Sequence, residues 1–378
     1  MRTVDKLEVY CDGRHVGTMA AYQHYRTVFQ YTESWIREGF SISPLSLPLV
    51  AGVKVTKADP FDGLFGIFAD SLPDGWGRLL VDRMLRREGE NPEEIDPLTR
   101  LSIVGQSGMG ALEYKPVHSW KQGTETADLD YLAAECQKIL RSEESNDLDT
   151  LFALGGSSGG ARPKVMLKID DEEWIVKFPA SGDPEDIGMM EYDYNLCAQE
   201  CGIEIPKVRL FASKNGAGYF GSKRFDRICS ETGEEKIHMA SASALLEISH
   251  RIPALDYTSL MALTWHVTRK EADVLKMFRL MCFNIFAHNR DDHSNNFSFL
   301  CKKGDWKLAP AYDLTWSNSL GGEHATSIAG EGRNPGIADI LRVGKRAGIK
   351  ETNARLIAEE VQEKVNNRLG KYINRNKK

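Results

Sequence analysis

The sequence predicts an α+β fold in which two sheet-rich units precede a mostly helical one. The chain opens with strand-like runs, LEVYC and RHVGTMA, around an Asp12-Gly13 turn, and TVFQYT adds a third alternating run. A second group of alternating runs follows the glycine-rich segment GGSSGGARPK. Beyond Asp226 most apolar residues recur at helical spacing. A sheet-rich half therefore meets a helical half near Ser222 to Asp226.

The composition is that of an ordinary globular protein. The chain has 378 residues, of which 42% are hydrophobic and 27% charged, enough for two or three packed units. The net charge of -6 provides no overall positive field for nucleic acid or an anionic membrane. The N-terminus lacks the apolar core of a secretory signal, and the seven scattered cysteines are typical of reduced thiols. We expect a soluble, cytoplasmic protein without a membrane partner.

Changes in composition predict three units. The polar stretch KPVHSWKQGTETADLD marks the first boundary, and the change from strand-like to helical spacing marks the second. We predict an N-terminal α/β subdomain over residues 1–120, a sheet-rich lobe over 121–225 and a helical lobe over 226–378. Thr268 and Glu271 have the spacing of a capping box, which predicts the start of a long helix.

The glycine-rich segment is a candidate phosphate-binding loop. Residues without a Cβ atom adopt positive φ angles that turn successive amides toward phosphate oxygens. The segment matches neither a Walker A loop nor a spaced G-x-G-x-x-G, so taken alone a flexible surface loop is the simpler interpretation. The candidate binding residues are Gly155, Gly156, Ser157, Ser158, Gly159, Gly160 and Lys164.

Lys177 strengthens the nucleotide interpretation. It lies in the strand-like run WIVKF, where a buried ammonium group is costly unless it meets an anion. Glu191 begins the next helical run, in the position of the glutamate that orients this lysine in protein kinases. The junction from Lys223 to Phe225 is a candidate hinge, whose main-chain atoms would contact adenine.

The segment AHNRDDHSNNFSFL contains the most specific spacing in the chain. Protein kinases use one Asp to accept the hydroxyl proton, an Asn five residues later to bind Mg²⁺, and another Asp beyond a hairpin for Mg²⁺. Asp291, Asn296 and Asp313 fit this pattern. Asp292 is the second candidate for the base. His293 either supports the loop by hydrogen bonding or assists the base, and both interpretations stay open.

Other functions are compatible with parts of this pattern. His288, Asp291, Asp292 and His293 are candidate ligands of a catalytic transition metal in a hydrolase, which would leave the glycine-rich segment and Lys177 unexplained. A kinase-fold binding module without catalysis and a small-molecule phosphotransferase are further alternatives.

The combination GGSSGGARPK, WIVKF, KRFDR, FNIFAHNRDDHSNNFSFL and LAPAYD resembles the HipA family, and FADSLPDGWGR is similar to the helical part of its N-terminal domain. The resemblance implies a protein-kinase-like two-lobed fold, with a β-rich N-lobe and a helical C-lobe, and an additional N-terminal subdomain. It also implies a toxin that phosphorylates protein serine or threonine using ATP and Mg²⁺.

The same resemblance implies roles for individual residues. Asp291 would be the catalytic base, Asn296 and Asp313 the Mg²⁺ ligands, and Lys177 the phosphate-binding lysine. Ser157 occupies the position of a regulatory loop serine, with Ser158 as a rival. In the family, phosphorylation of that serine is associated with expulsion of the glycine-rich loop and loss of ATP binding.

Partners follow from the resemblance as well. It implies a small helix-turn-helix antitoxin, homologous to HipB, so contact with operator DNA would be indirect. Family toxins target translation, often through an aminoacyl-tRNA synthetase. The segment KIHMASASALLEISHRIPALDY replaces the acidic, Gln-containing stretch expected after KRFDR, so the identity of the protein substrate does not transfer.

Overall fold

The computed structural model describes residues 3–23, 25–120, 128–230 and 233–376. Within these ranges a sheet-rich N-terminal unit is followed by a second sheet-rich lobe and a helical lobe. The predicted two-lobed α+β fold with an additional N-terminal subdomain is confirmed. The predicted boundary at residue 120 adjoins residues 121–127, which lie outside the described residues.

The N-terminal unit is built on an antiparallel five-stranded sheet in the order β4-β3-β2-β1-β5. The predicted Asp12-Gly13 turn joins its first two strands, with both residues at positive φ. Phe29 packs on Phe68 in the buried face of the sheet. The elements are β1 (Lys6–Cys11), β2 (Arg14–Tyr22), β3 (Arg26–Tyr31), α1 (Glu33–Glu38), β4 (Lys54–Val55), α2 (Gly66–Ala69), α3 (Gly75–Arg87), α4 (Pro97–Val104) and β5 (Leu112–Lys115).

The second lobe contains an antiparallel four-stranded sheet in the order β6-β7-β9-β8. Its elements are α5 (Leu129–Leu140), α6 (Leu148–Gly155), β6 (Lys164–Ile169), β7 (Glu172–Lys177), α7 (Ile187–Glu200), β8 (Val208–Phe211) and β9 (Tyr219–Lys223). The first turn of α7 lies directly on the sheet, since a Cβ atom on Gly188 would come 2.2 Å from the carbonyl oxygen of Gly218. This close approach positions Glu191, one turn further along α7, beside β7.

The helical lobe surrounds one buried helix, α10, whose Met277, Phe278 and Met281 are fully buried. None of the helices in the described ranges is long and apolar enough to cross a bilayer. The elements are β10 (Arg227–Ser230), β11 (Gly233–Lys236), β12 (His238–Ser241), α8 (Ala242–Leu246), β13 (Leu255–Asp256), α9 (Tyr257–Thr268), α10 (Glu271–Phe286), β14 (Ser298–Lys302), β15 (Asp305–Leu308), β16 (Thr326–Ser327), α11 (Ile337–Arg346) and α12 (Glu351–Asn376).

Helix α10 does not begin with the predicted capping box, and that prediction was wrong. Thr268 is the last residue of α9, and its hydroxyl donates to the carbonyl oxygen of Thr264 at 2.9 Å. Arg269 adopts a left-handed conformation and ends α9, so the chain reverses within two residues. Lys270 is the N-cap of α10 and makes no side-chain capping bond.

A buried ion cluster at the lobe junction fastens the N-terminal unit to the second lobe. Arg224 and Arg227 each donate to a carboxylate oxygen of Asp226 at 2.8 Å and to the carbonyl oxygen of Gly108. The amide of Gly110 donates to the same carboxylate at 2.7 Å. Burial opposes ionisation of Asp226, but Arg224, Arg227 and the amide of Gly110 together outweigh it and hold the pKa of Asp226 below its usual range. The junction is therefore clamped to the loop before β5.

Replacing Asp226 with Asn should unfasten this cluster. The substitution keeps the shape but removes the carboxylate charge that two buried guanidinium groups share, and among the described residues only Arg227 retains another carboxylate partner, Glu234 at 3.3 Å. We therefore expect a loss of about 3–5 kcal/mol in the free energy of unfolding. Urea denaturation measures it. Asp171→Asn is the control, because that side chain is 97% exposed, and it should change stability by less than about 0.5 kcal/mol. Equal stability of the two variants would contradict the clamp.

Candidate active site

Lys177 joins the two lobes through a buried ion pair. It ends β7, is 12% exposed, and its Nζ atom donates to Glu191 on α7 at 2.5 Å and to the carboxylate of Asp313 after β15. Burial acts to lower the pKa of Lys177, but Asp313 and Glu191 outweigh it and raise that pKa above its usual range. The ammonium group is therefore charged and held between carboxylates of different lobes.

Asp313 lies in a left-handed conformation, with φ of 54°. Loss of hydration opposes its ionisation, but Lys177 and Lys164 outweigh this effect and hold the pKa of Asp313 well below its usual range. The preceding residue, Tyr312, fixes the segment because its hydroxyl lies 2.6 Å from the Ser298 hydroxyl and donates to the carbonyl oxygen of Asn295. The Asp313 carboxylate is thus ionised, and it is 37% exposed where it meets Lys177 of the other lobe.

The glycine-rich loop begins later than predicted. Gly155 is the last residue of α6, and Gly156 caps that helix with φ of -66°. A Cβ atom on Gly155 would lie 2.6 Å from the carbonyl oxygen of Lys164, and one on Gly156 would lie 2.4 Å from the ring of Phe152. These two glycines therefore allow α6 to pack closely, and among the glycines of the segment only Gly160 has a positive φ, of 80°.

Two cations line the base of this loop. Lys164 opens β6, is buried, and its Nζ atom donates to the carbonyl oxygen of Gly159 at 2.5 Å. Burial lowers the pKa of Lys164, although Asp313 acts in the opposite direction. Arg162, which the sequence reasoning missed, donates to Asp183 at 3.0 Å and approaches Glu191 to 3.7 Å. The sequence feature that could have indicated Arg162 is its position between the glycine-rich segment and the following strand-like run.

Both candidate regulatory serines are buried. Ser157 is 8% exposed, and its hydroxyl donates to the carbonyl oxygen of Ser107 in the N-terminal unit at 2.8 Å. The Ser158 hydroxyl instead donates within its own segment, to the carbonyl oxygen of Gly155 at 2.6 Å. Of the two serines, Ser157 is therefore the one whose hydroxyl contacts the N-terminal unit.

The two neighbouring acids of the segment AHNRDDHSNNFSFL, the candidate catalytic loop, lie in opposite environments. The Asp291 side chain is 62% exposed, and its Oδ1 atom lies 3.8 Å from Nε2 of His293. Asp292 is 1% exposed; it accepts a hydrogen bond from the Tyr257 hydroxyl at 2.9 Å and lies 2.8 Å from Nδ1 of His324. Asp291 is the acid that a substrate hydroxyl can reach, whereas Asp292 fastens the loop to the helical lobe.

The structure does not assemble the transition-metal alternative. Among the described residues, no group of three or more His, Cys, Asp or Glu side chains is placed to hold a metal ion. His288 stacks on Trp316 with ring centroids 5.8 Å apart, and Asp292 points into the core. The four residues His288, Asp291, Asp292 and His293 therefore do not converge on one point.

Asn296 and Asp313 have the chemistry of Mg²⁺ ligands. The Asn296 amide nitrogen donates to the carbonyl oxygen of Asp291 at 2.6 Å, which leaves the amide oxygen of Asn296 to act as a ligand. Asp313 contributes an ionised carboxylate. Hard oxygen donors of this kind suit an ion that keeps waters and phosphates in its shell. The donor set therefore fits magnesium.

The junction after β9 supplies fewer free amides than predicted. The N–H of Lys223 donates to Lys207 and that of Arg224 to Glu173, both at 2.8 Å. The Lys223 ammonium pairs with Glu172 at 2.9 Å. The half-buried Phe225 ring lies against Tyr312, with centroids 5.8 Å apart. Of the two predicted hinge residues, Phe225 is the one beside the Asp313 segment.

A buried lysine–glutamate pair on a sheet, a glycine-rich loop and an acidic loop from a helical lobe together define a protein-kinase-like fold. The model of the HipA N-terminal domain matches residues 7–115, and that of the HipA-like C-terminal domain matches residues 156–369. The chain belongs to the HipA family.

Individual relatives agree with this assignment. The chain is 26% identical to "Putative kinase Y4mE" of Sinorhizobium fredii over 93% of its length and 84% of that protein. It is 25% identical to Y4dM of the same organism over 97% of its length and 88% of that protein. Its fold is similar to Shewanella oneidensis MR-1 HipA, solved with HipB and operator DNA. The TM-score is 0.72 at 16% identity, over 97% of this chain and 90% of the other.

Alanine substitutions should separate the two neighbouring acids by stability. Asp292→Ala leaves the buried donors Tyr257 and Thr326 without their acceptor, so we expect a loss of about 3 kcal/mol in the free energy of unfolding. Asp291→Ala removes an exposed carboxylate and should change it by less than about 0.5 kcal/mol. Urea denaturation of both variants checks this, and a large loss in Asp291→Ala would contradict the assignment.

Proposed function

We propose that this protein is an ATP- and Mg²⁺-dependent protein serine/threonine kinase that acts as a HipA-like toxin. The observation that carries the proposal is the contact of Lys177 with both Glu191 and Asp313, which brings a sheet lysine, a helix glutamate and a candidate metal ligand together. Protein kinases require this lysine–glutamate pair and a metal-binding Asp in position at the same time. Family membership supports kinase chemistry as the common activity.

The proposed mechanism assigns one task to each group. Lys177 and Lys164 neutralise charge on the nucleotide phosphates beneath the glycine-rich loop. Asp313 and Asn296 would hold Mg²⁺, which when bound would supply positive charge for phosphoryl transfer. Asp291 orients the attacking hydroxyl and accepts its proton. His293, 3.8 Å from Asp291, supports the acid from the side.

The adenine contact is proposed at the lobe junction. Because the amides of Lys223 and Arg224 already donate within the sheet, the main chain of Phe225 is the better candidate of the predicted hinge. The ring of Phe225, packed on Tyr312, would close the inner side of the same pocket. A backbone contact of this kind reads the base without a polar side chain.

The partners follow from the structural relative. Because Shewanella oneidensis HipA was solved with HipB and its operator DNA, we propose an equivalent helix-turn-helix antitoxin here, with DNA contacted through it. A translation-related protein, such as an aminoacyl-tRNA synthetase, is the proposed substrate class. Six of the cysteines in the described ranges, Cys11, Cys136, Cys197, Cys201, Cys282 and Cys301, are free and buried, which supports a reducing, cytoplasmic setting.

Isosteric replacement of Asp291 tests the kinase proposal. Wild type and Asp291→Asn are incubated with labelled ATP, Mg²⁺ and host lysate, and incorporation is followed by intact mass and peptide mapping. Loss of the general base should lower the rate by about 10²–10⁴-fold. Mg-ATP affinity should stay near that of wild type, because Asp291 does not contact the proposed phosphate site.

Two other results would point to the alternatives. If neither protein labels any polypeptide, after phosphatase treatment and with lysate present, but both bind Mg-ATP, the binding-module alternative replaces the kinase. Label found only in small metabolites would favour a small-molecule phosphotransferase.

Peptide mapping of loop-serine variants tests the proposed autophosphorylation. Phosphorylation of Ser157 would remove the hydrogen bond from its hydroxyl to the carbonyl oxygen of Ser107 and place roughly two negative charges beside that oxygen. The loop would therefore have to leave its position. We expect the loop phosphopeptide to disappear in Ser157→Ala and to persist in Ser158→Ala. Ser157→Asp should weaken Mg-ATP binding, measured by calorimetry. Persistence of the phosphopeptide in Ser157→Ala would assign the role to Ser158 instead.

A further inference from the structure

The N-terminal unit holds the glycine-rich loop through the first turn of α3. The amide of Gly160 donates to the carboxylate of Asp74, and the amide of Trp76 donates back to the carbonyl oxygen of Gly160 at 2.9 Å. The Trp76 indole donates to the carbonyl oxygen of Lys164 at 3.1 Å. The loop is thus fixed both at its tip and where it enters β6.

Two glycines allow this contact to form between backbones. A Cβ atom on Gly75 would lie 2.5 Å from the carbonyl oxygen of Gly160, and one on Gly77 would lie 2.1 Å from that of Ser158. Gly75 also has φ of 45°, which disfavours a side chain. The start of α3 is therefore shaped to receive this segment of the loop.

The second oxygen of the Asp74 carboxylate faces the helical lobe. It lies 3.6 Å from Nε2 of His250, in the segment after α8. The other ring nitrogen of His250 lies 3.1 Å from the side-chain amide nitrogen of Asn295 in the proposed catalytic loop. Because that amide donates, Nδ1 of His250 accepts and the proton of a neutral ring lies on Nε2, toward Asp74.

The chain of contacts continues to the acid of the catalytic loop. The rings of His250 and His293 have centroids 5.3 Å apart. Nδ1 of His293 accepts a hydrogen bond from the backbone amide of Asn295 at 3.3 Å, and Nε2 of His293 lies 3.8 Å from Asp291. The phosphate loop and the catalytic loop are therefore connected outside the Lys177 ion pair, through a carboxylate of the N-terminal unit.

We propose that Asp74 and His250 are positioning residues that set the glycine-rich loop relative to the catalytic loop. The inference rests on the proposed kinase function and deepens it, since it makes the N-terminal unit part of the catalytic cleft. Neither side chain touches the reacting groups. Both act by preorganisation. Asp74 holds the amide of Gly160, and His250 lies between Asp74 and Asn295, so it fixes the position of Asn295 and of its neighbour Asn296 relative to Asp74.

Two variants of Asp74, one without and one with a hydrogen-bond acceptor, test whether Asp74 anchors the amide of Gly160. Asp74→Ala removes both the acceptor for Gly160 and the partner of His250, whereas Asp74→Asn keeps an acceptor. We expect Asp74→Ala to weaken Mg-ATP binding about tenfold, the cost of one charge-assisted hydrogen bond, and Asp74→Asn to recover most of it. Amide hydrogen exchange of residues 156–163 should accelerate in Asp74→Ala. Glu88→Ala, exposed at the other end of α3, is the matched control.

The coupling to the catalytic loop is tested by a double-mutant cycle. His250→Ala should lower kcat with a smaller effect on KM for ATP, because it disturbs Asn295 while leaving the bond between Asp74 and Gly160. The effect of Asp74→Ala on kcat should be smaller in the His250→Ala background than in wild type. His266→Ala, exposed on α9, is the matched control. Strictly additive effects on kcat would overturn the coupling.

These readouts separate the inference from the proposed function. Hydrogen exchange and nucleotide binding report on the loop even in a protein that transfers no phosphate. If wild type lacks kinase activity but Asp74→Ala still accelerates exchange in residues 156–163, the anchor stands and the kinase proposal fails. Exchange and Mg-ATP affinity in Asp74→Ala equal to those of wild type would overturn the anchor. Should Asp74→Ala not fold, slower exchange in Asp74→Asn than in Gly77→Ala would support it, and the reverse order would overturn it.

Discussion

The ammonium group of Lys177 is the interaction on which the arrangement of the lobes depends. It is nearly excluded from water, and a lone charge in that position would cost several kcal/mol. Glu191 and Asp313 offset this cost from two sides, one on α7 and the other beyond the β14–β15 hairpin. The sheet, helix α7 and the helical lobe are thus held together by the contacts of one charged group, the ammonium of Lys177. The close approach of Gly188 to Gly218 is part of the same constraint, because it sets how far Glu191 stands from the sheet.

The N-terminal unit is integrated with the kinase-like lobes at several places. Its loop before β5 binds Arg224 and Asp226 at the lobe junction and accepts the Ser157 hydroxyl. Its helix α3 meets the other side of the glycine-rich loop at Gly160. The glycine-rich loop is therefore held on both sides by the N-terminal unit, which precedes the kinase-like lobes in sequence. A kinase-like pair of lobes without this unit would lack both supports.

The sequence predicted the parts of the site whose chemistry depends on local spacing. The interval between Asp291 and Asn296, and the apolar strand around Lys177, were sufficient to propose a nucleotide and metal site. The order of sheet-rich and helical units was also predictable from periodicity. Sequence could not show that Gly155 serves helix packing, because the groups that exclude a side chain there include the indole of Trp76, which lies far earlier in the chain and is brought close only by the fold.

Contacts between distant segments were beyond sequence reasoning for the same reason. Asp74 and Gly160 are separated by 86 positions, and nothing in either local pattern predicts their bond. Thr268 had the right spacing for a cap, but the left-handed Arg269 ended the preceding helix first. The choice between Asp291 and Asp292 as candidate base depended on which side chain is buried. Asp292 is the buried one because Tyr257 and the segment after β15 provide its hydrogen-bond partners.

The burial of Asp292 means that the orientation of Asp291, the proposed catalytic base, depends on the contacts of its neighbour. Asp291 needs no rigid contact of its own, because the carboxylate of the next residue, Asp292, is held by Tyr257, His324 and Thr326. These supports belong to α9 and to the stretch around β16, outside the proposed nucleotide pocket. Substitution of Tyr257, His324 or Thr326 should therefore impair the proposed proton transfer while leaving every side chain of the proposed pocket intact. Loss-of-function changes in this chain should therefore scatter over the helical lobe, and a search confined to the pocket would overlook them.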